Sequence, residues 1–167
     1  KGRYLSIFKF IKGSHPRKLT KKIAESIGKE VGLMHKMMHE YKVSSPELAT
    51  LNKNGLRKCV IHGDLGHTNI MVDKNKLTAI LDYNDAHYNY LISDLACLIP
   101  WFMNSGNLNF LPVFMKEYEK VFKLNSDEKN SLPEFVRNRI QGVLSWTEDI
   151  IKSKRHKPSQ LPYLKRG

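Results

Sequence analysis

Apolar positions along this chain follow two different periods. Ile23, Ile27, Val31, Met34 and Met38 recur every three to four residues in a stretch otherwise rich in Lys and Glu. That spacing lays one apolar stripe along an α-helix. It predicts a helix over residues 19–41, with Thr20 as its N-cap. Before it, residues 3–11 ("RYLSIFKFI") are dense in aromatic and β-branched side chains and predict a strand, broken by the turn-forming run "KGSHP". Residues 42–58 are polar and predict a loop or a short helix. The pattern then shortens. "CVIHGD" predicts a short strand that ends in a loop. "NIMVD" and "LTAILDY" predict two short strands joined through "KNK" as a hairpin. From residue 92 to about residue 154 the chain predicts helices, interrupted near "NSGN" and around residues 125–126. No repeat or low-complexity tract appears. A strand, a helix, a small hairpin and then helices make an α+β pattern.

The hairpin region carries the chemistry. Asp64 follows a Gly in the loop after a strand, where a scaffold holds reactive side chains. Asn69 stands five residues later, at the start of the next strand, and Asp82 ends the second hairpin strand. If the hairpin folds back, Asn69 and Asp82 lie on neighbouring strands near Asp64. Two carboxylates and an amide oxygen are hard ligands that suit magnesium. A carboxylate left free of metal can orient a hydroxyl and take its proton. Each of these residues taken singly is an ordinary turn former. The joint spacing, "HGDxxxxN" with "ILDY" following, is far more specific.

"HGDLGHTN" resembles the catalytic-loop motif of the aminoglycoside phosphotransferases and their choline-kinase-like and type II homoserine-kinase-like relatives. "AILDYNDA" is similar to that family's second metal-binding segment, and "YLISDLA" to the segment after it. "FIKG" resembles the end of the hinge between lobes, and "IGKEVGLMHKM" the helix ending in a Leu-His pair. The resemblance runs from about Tyr4 to about Lys154. It implies a protein-kinase-like C-terminal lobe, with ATP as co-substrate and Mg2+ as cofactor. It implies that Asp64 is the catalytic base and that Asn69 and Asp82 bind metal. It also implies that His62 and Asp94 support the catalytic loop. The backbone of Lys9 and Ile11 would meet the adenine edge, over a floor of Met71 and Leu81. "YNY" stands where the family usually has Gly-Asp-Pro, which bears on the substrate wall rather than on the metal site.

The resemblance also implies an N-terminal lobe in cis, because no Gly-rich loop followed by a strand Lys occurs in this chain. Residues 1–13 would then be hinge and linker, residues 14–154 the C-terminal lobe, and residues 155–167 a basic tail. Alone, such a lobe keeps base and metal ligands but binds ATP poorly, and is expected to be inactive.

Composition narrows the rivals. A formal net charge of +12 favours anionic partners. The basic runs "KGSHPRKLTKK" and "KSKRHK" contain none of the aromatics that a nucleic-acid-binding module interleaves with its cations. They read as solvated faces. No apolar run approaches the ~20 residues of a membrane span. Two Cys, Cys59 and Cys97, form neither a disulfide framework nor a zinc pattern, which makes a reducing cytoplasm the expected compartment. His35 and His39 are one turn apart, but without HExxH the pair is expected to pack against the catalytic loop. Trp101 and Trp146 are expected in the core. The high positive charge disfavours a polycationic aminoglycoside as acceptor and favours a small, homoserine-like amino alcohol. An aminoglycoside acceptor and a degenerate scaffold without activity are the alternatives.

Overall fold

The computed structural model describes residues 9–41, 55–104 and 106–153. Among the described residues there are four α-helices and two short antiparallel ribbons. Helix α1 spans Lys21–Glu40. Strands β1 (Lys58–Ile61) and β4 (His87–Tyr90) form one ribbon, and β2 (Ile70–Asp73) and β3 (Lys76–Ile80) the other. Helices α2 (Ile92–Asn104), α3 (Leu111–Val121) and α4 (Ser126–Ser153) follow. The α+β class is as the pattern predicted.

Helix α1 begins where expected: the Thr20 side chain accepts the Ile23 N–H. Its stripe of Ile23, Ile27, Val31 and Met34 is buried. Gly28 and Gly32 lie on the same side, against α3. A Cβ on Gly28 would meet the backbone oxygen of Phe114, and one on Gly32 that of Tyr118. The two backbones therefore approach closely because both positions lack a side chain. Helices α2 and α3 complete the core with Leu95, Leu98, Phe102, Phe114 and Tyr118.

The α4 N-terminus is a reciprocal cap. Asn125 Oδ1 accepts the Glu128 N–H at 2.9 Å, and Glu128 Oε2 accepts the Asn125 N–H at 2.9 Å. Glu128 is fully buried and also accepts from Arg57, at 2.8 Å from Nε and 2.6 Å from Nη2. Burial alone would raise its pKa. The Arg57 hydrogen bonds and the Asn125 N–H outweigh that and hold it below the ordinary carboxylate range. Because Arg57 immediately precedes β1, this pair fixes α4 to the strand that feeds the candidate loop.

The hairpin turn is two residues long. Lys74 and Asn75 both have positive φ (47° and 67°), the geometry that matches the twist of an antiparallel ribbon. Ser14 bonds Val72 in both directions, at 3.0 and 2.9 Å, on the other edge of β2.

Several expectations need correction. The predicted strand over residues 3–11 lies mostly outside the described residues, and its described end is irregular and exposed. The second hairpin strand stops at Ile80, so Asp82 stands beyond it rather than at its end. Strand β4 was not anticipated. It occupies the "HYNY" departure and pairs with β1 in the register Lys58↔Tyr90 to Ile61↔His87. Trp146 is 54 % exposed rather than in the core. The segment over residues 42–54 and the tail from residue 154 lie outside the described residues.

Candidate active site

The loop from His62 to Asn69 connects the two ribbons, and a buried carboxylate sets its start. Asp94, in the first turn of α2, accepts the His62 N–H at 2.8 Å through Oδ2 and the Gly63 N–H at 2.9 Å through Oδ1. His35 of α1 donates through Nε2 to the same Oδ2 at 3.2 Å, and its Nδ1 lies 2.8 Å from the Tyr118 hydroxyl of α3. Burial first, and the Glu128 charge second, push the Tyr118 pKa well up, so its hydroxyl stays protonated and donates to His35. Three helices thus converge on two backbone amides of the loop. All three side chains of this chain of bonds are fully buried.

His62 clamps the loop to the hairpin. A carbonyl can only accept, so the 2.8 Å contact with Leu81 O puts a proton on Nε2. Nδ1 then accepts the Asp64 N–H at 3.3 Å. The ring is held as the Nε2–H tautomer, with Tyr83 packed against it at 4.6 Å between centroids.

Asp64 points out of this braced loop with a half-exposed side chain. Asn69 closes the 3-10 turn His67–Asn69. Its Nδ2 donates to Asp64 O at 2.8 Å and lies 3.4 Å from Asp64 Oδ2. Those bonds assign the amide orientation and leave Oδ1 as the outward acceptor. Leu81 N donates to Asn69 O at 2.8 Å, which carries the β2–β3 ladder one step past Ile80. Asp82 is the next residue. It sits at φ 62°, ψ 71°, in the left-handed region, and its Oδ1 accepts the Asn84 N–H at 3.4 Å. Hydrogen bonds therefore join Asn69 to Asp64 and to Leu81, the residue before Asp82, and Asn69 and Asp82 occupy turns flanking the strands rather than the strands themselves.

The donor atoms presented are carboxylate and amide oxygens, a set that suits a hard divalent cation and not zinc. Among the described residues no group of three or more His, Cys, Asp or Glu side chains is arranged to hold a metal ion. Met71 lies in β2 and Leu81 just past the end of β3, and both are part-buried. Lys9 and Ile11 lie in irregular, exposed chain just before Ser14, which is attached to β2.

One feature escaped the sequence. Arg139 of α4 donates from Nη2 to Asp64 Oδ1 at 2.6 Å. A signal for it existed. Leu132, Phe135 and Val136 are the α4 side chains packed on the core. Arg139 continues their i, i+3, i+4, i+7 face. A cation on an apolar face marks a buried or bound partner.

Short ribbons carrying the loop, enclosed by helices, are the C-terminal lobe of the protein-kinase-like fold. A solved amicoumacin kinase in complex with AMP-PNP, Ca2+ and Ami superposes with TM-score 0.66 at 16% identity, over 92% of this chain and 59% of that one. A microcompartment-associated aminopropanol kinase gives TM-score 0.65 at 18% identity, over 84% and 58%. The chain belongs to the phosphotransferase enzyme family, whose model matches residues 45–129. Among curated proteins it is 33% identical over 93 residues to a hydroxylysine kinase of Xenopus laevis, covering 48% of this chain and 25% of that protein. It is 38% identical over 98 residues to a homoserine kinase of Xanthobacter autotrophicus, covering 54% and 30%. The chain thus spans a third or less of the length of these two relatives. Among the described residues no helix is long and apolar enough to cross a membrane.

Proposed function

We propose that the full-length protein is an ATP-dependent small-molecule kinase, and that this chain supplies its C-terminal lobe. The observation that supports it most is the hydrogen-bonded convergence of Asp64, Asn69 and the Leu81–Asp82 step on a loop already braced by Asp94. In this reading Asp64 orients the acceptor hydroxyl and takes its proton as the oxygen attacks the γ-phosphorus. The new O–P bond forms, the bond to the β-phosphate oxygen breaks, and ADP leaves. Asn69 Oδ1 and the Asp82 carboxylate would hold Mg2+, which supplies charge neutralisation on the phosphates. His62 and Asp94 support the loop. The backbone at Lys9 and Ile11 would contact the adenine edge, with Met71 and Leu81 beneath it. An N-terminal lobe in cis would supply the phosphate clamp, in a protein working in the cytoplasm. The acceptor is a small amino alcohol of the homoserine type, a reading supported by the homoserine and hydroxylysine kinases among its relatives.

The test is ADP release by the full-length gene product with homoserine, hydroxylysine, aminopropanol, choline and aminoglycosides. Acceptor-dependent release is expected, abolished by chelation and lowered by about 10²–10⁴ in Asp64→Asn. A folded protein that releases no ADP with any of them sinks the reading and leaves a scaffold without activity.

A further inference from the structure

A cavity of about 210 Å³ opens between the β1–β4 ribbon, α2 and α4. Gly63, His87, Asn89, Ser93 and Arg139 supply its polar lining, and Ile61 and Phe135 part of its apolar wall. Neither Asn69, Asp82, Met71 nor Leu81 lines it. The cavity is therefore lined by none of the residues assigned to metal and nucleotide, nor by Asp64 itself, which it meets only through Arg139. It is smaller than the about 300–1,000 Å³ typical of drug-sized ligands. No carboxylate lines it, whereas a guanidinium and an imidazole do. Such a lining offers an ammonium-rich ligand no counter-charge.

Arg139 joins this cavity to the base. Its Nη2 holds Asp64 Oδ1 at 2.6 Å, and among the described residues that is its one hydrogen bond. The rest of the guanidinium fork has N–H donors to spare, in the planar geometry that pairs with a carboxylate. Its position is fixed from the far end of α4 through Glu128 and Arg57, and from the near end by Phe135 against Tyr90 at 5.8 Å between ring centroids. We infer that this cavity is the acceptor subsite and that Arg139 selects an acceptor bearing a carboxylate, so the substrate class is hydroxy amino acids rather than amino alcohols without an acid group. The inference rests on the kinase reading. Arg139 grips the acid end while Asp64, in contact with it, meets the hydroxyl end. Ser93 is the neutral hydroxyl of the lining that faces the remaining heteroatoms, whereas Asn89 is already engaged, its Nδ2 with His87 Nε2 at 3.1 Å and its Oδ1 with the Tyr90 N–H at 2.8 Å.

The experiment compares each hydroxy amino acid with its decarboxylated counterpart, using the full-length gene product. The pairs are homoserine with 3-aminopropan-1-ol, serine with ethanolamine, and 5-hydroxylysine with the corresponding diamine alcohol. For at least one pair, kcat/KM is expected to favour the acid at least tenfold. In Arg139→Gln that ratio should fall at least tenfold, through the acceptor KM and with the KM for ATP little changed. Arg139→Lys should keep part of it. Preference for the decarboxylated partners, equal losses on both members of each pair, or a shift confined to the KM for ATP would overturn the inference. Calorimetric titration of the acids into Asp64→Asn separates the two readings. Binding lost on adding Arg139→Gln, without turnover by the parent protein, keeps the subsite and removes the kinase. Turnover of amino alcohols with no acid bound keeps the kinase and removes the subsite. Neither turnover nor binding with any compound removes both. Circular dichroism of each variant confirms that these losses come from a folded chain.

Discussion

Gly63 has φ +83° and sits where an added Cβ would meet the backbone oxygen of Asp85. Its N–H is one of the two held by Asp94. A side chain here is opposed twice, by the left-handed backbone and by a carbonyl that cannot swing away. Gly63→Ala is expected to destabilise the chain by about 3 kcal/mol, and to depress turnover as well. Chemical denaturation beside the ADP-release assay checks both. Asp82 has the same left-handed backbone without a glycine, which an Asp tolerates better than most residues. Strain kept at such a position is a common mark of a working site. Spacing in the sequence was enough to expect Asn69 and the Asp82 turn beside the Asp64 loop, because the hairpin that joins them is local, and the bonds of Asn69 to Asp64 and Leu81 agree with that proximity. Arg139 was not legible in that way. Its partner is 75 residues away, and only the apolar face on which it rides hinted at one.

At the scale of elements, α1 was legible because its signal recurs from Ile23 to Met38, over about four turns, and its cap is a side chain. Strand β4 was not, since it has four residues and no apolar alternation of its own. Its strand character comes from pairing with β1, a tertiary effect that propensity does not carry. The end of β3 was misjudged for a related reason. Leu81 still bonds across to Asn69, but Asp82 turns the chain into the left-handed region. The α1–α3 contact yields a prediction in which two effects compete. Gly28→Ala gains about 1 kcal/mol of helix propensity. It also forces a methyl against the Phe114 carbonyl, and overpacking of that kind costs about 1–3 kcal/mol. The backbone contact should win, so a net loss of up to about 2 kcal/mol is expected in urea denaturation, where a surface Gly→Ala change would stabilise.

For the molecule as a whole, the Arg57–Glu128 pair ties its late helix to its early strand. Removing the charge of a buried, multiply bonded carboxylate leaves Arg57 poorly matched, and Glu128→Gln should cost about 3 kcal/mol at pH 7. The sign of its pH dependence follows from a folded-state pKa below the ordinary value. The stabilisation is whole above about pH 4.3 and is lost as pH falls through the lower folded-state value. Urea midpoints of the parent and the variant should therefore differ most at neutral pH and converge in acid. The fold class was legible because its periods are long-range sums. The ion pair was not, because nothing local to Arg57 points to residue 128.

The ring of Trp101 stacks on His67, with centroids 5.7 Å apart and planes 21° from parallel. His67 lies between Asp64 and Asn69, and burial, then the charge of His15, keep its pKa below the ordinary imidazole value. The chain has only two tryptophans, and the other, Trp146, stands exposed on α4. Replacing Trp146 with Phe thus leaves one tryptophan in this chain, the one that touches the His62–Asn69 loop. Its emission, free of any attached dye, becomes an optical gauge of whatever enters or disturbs that loop.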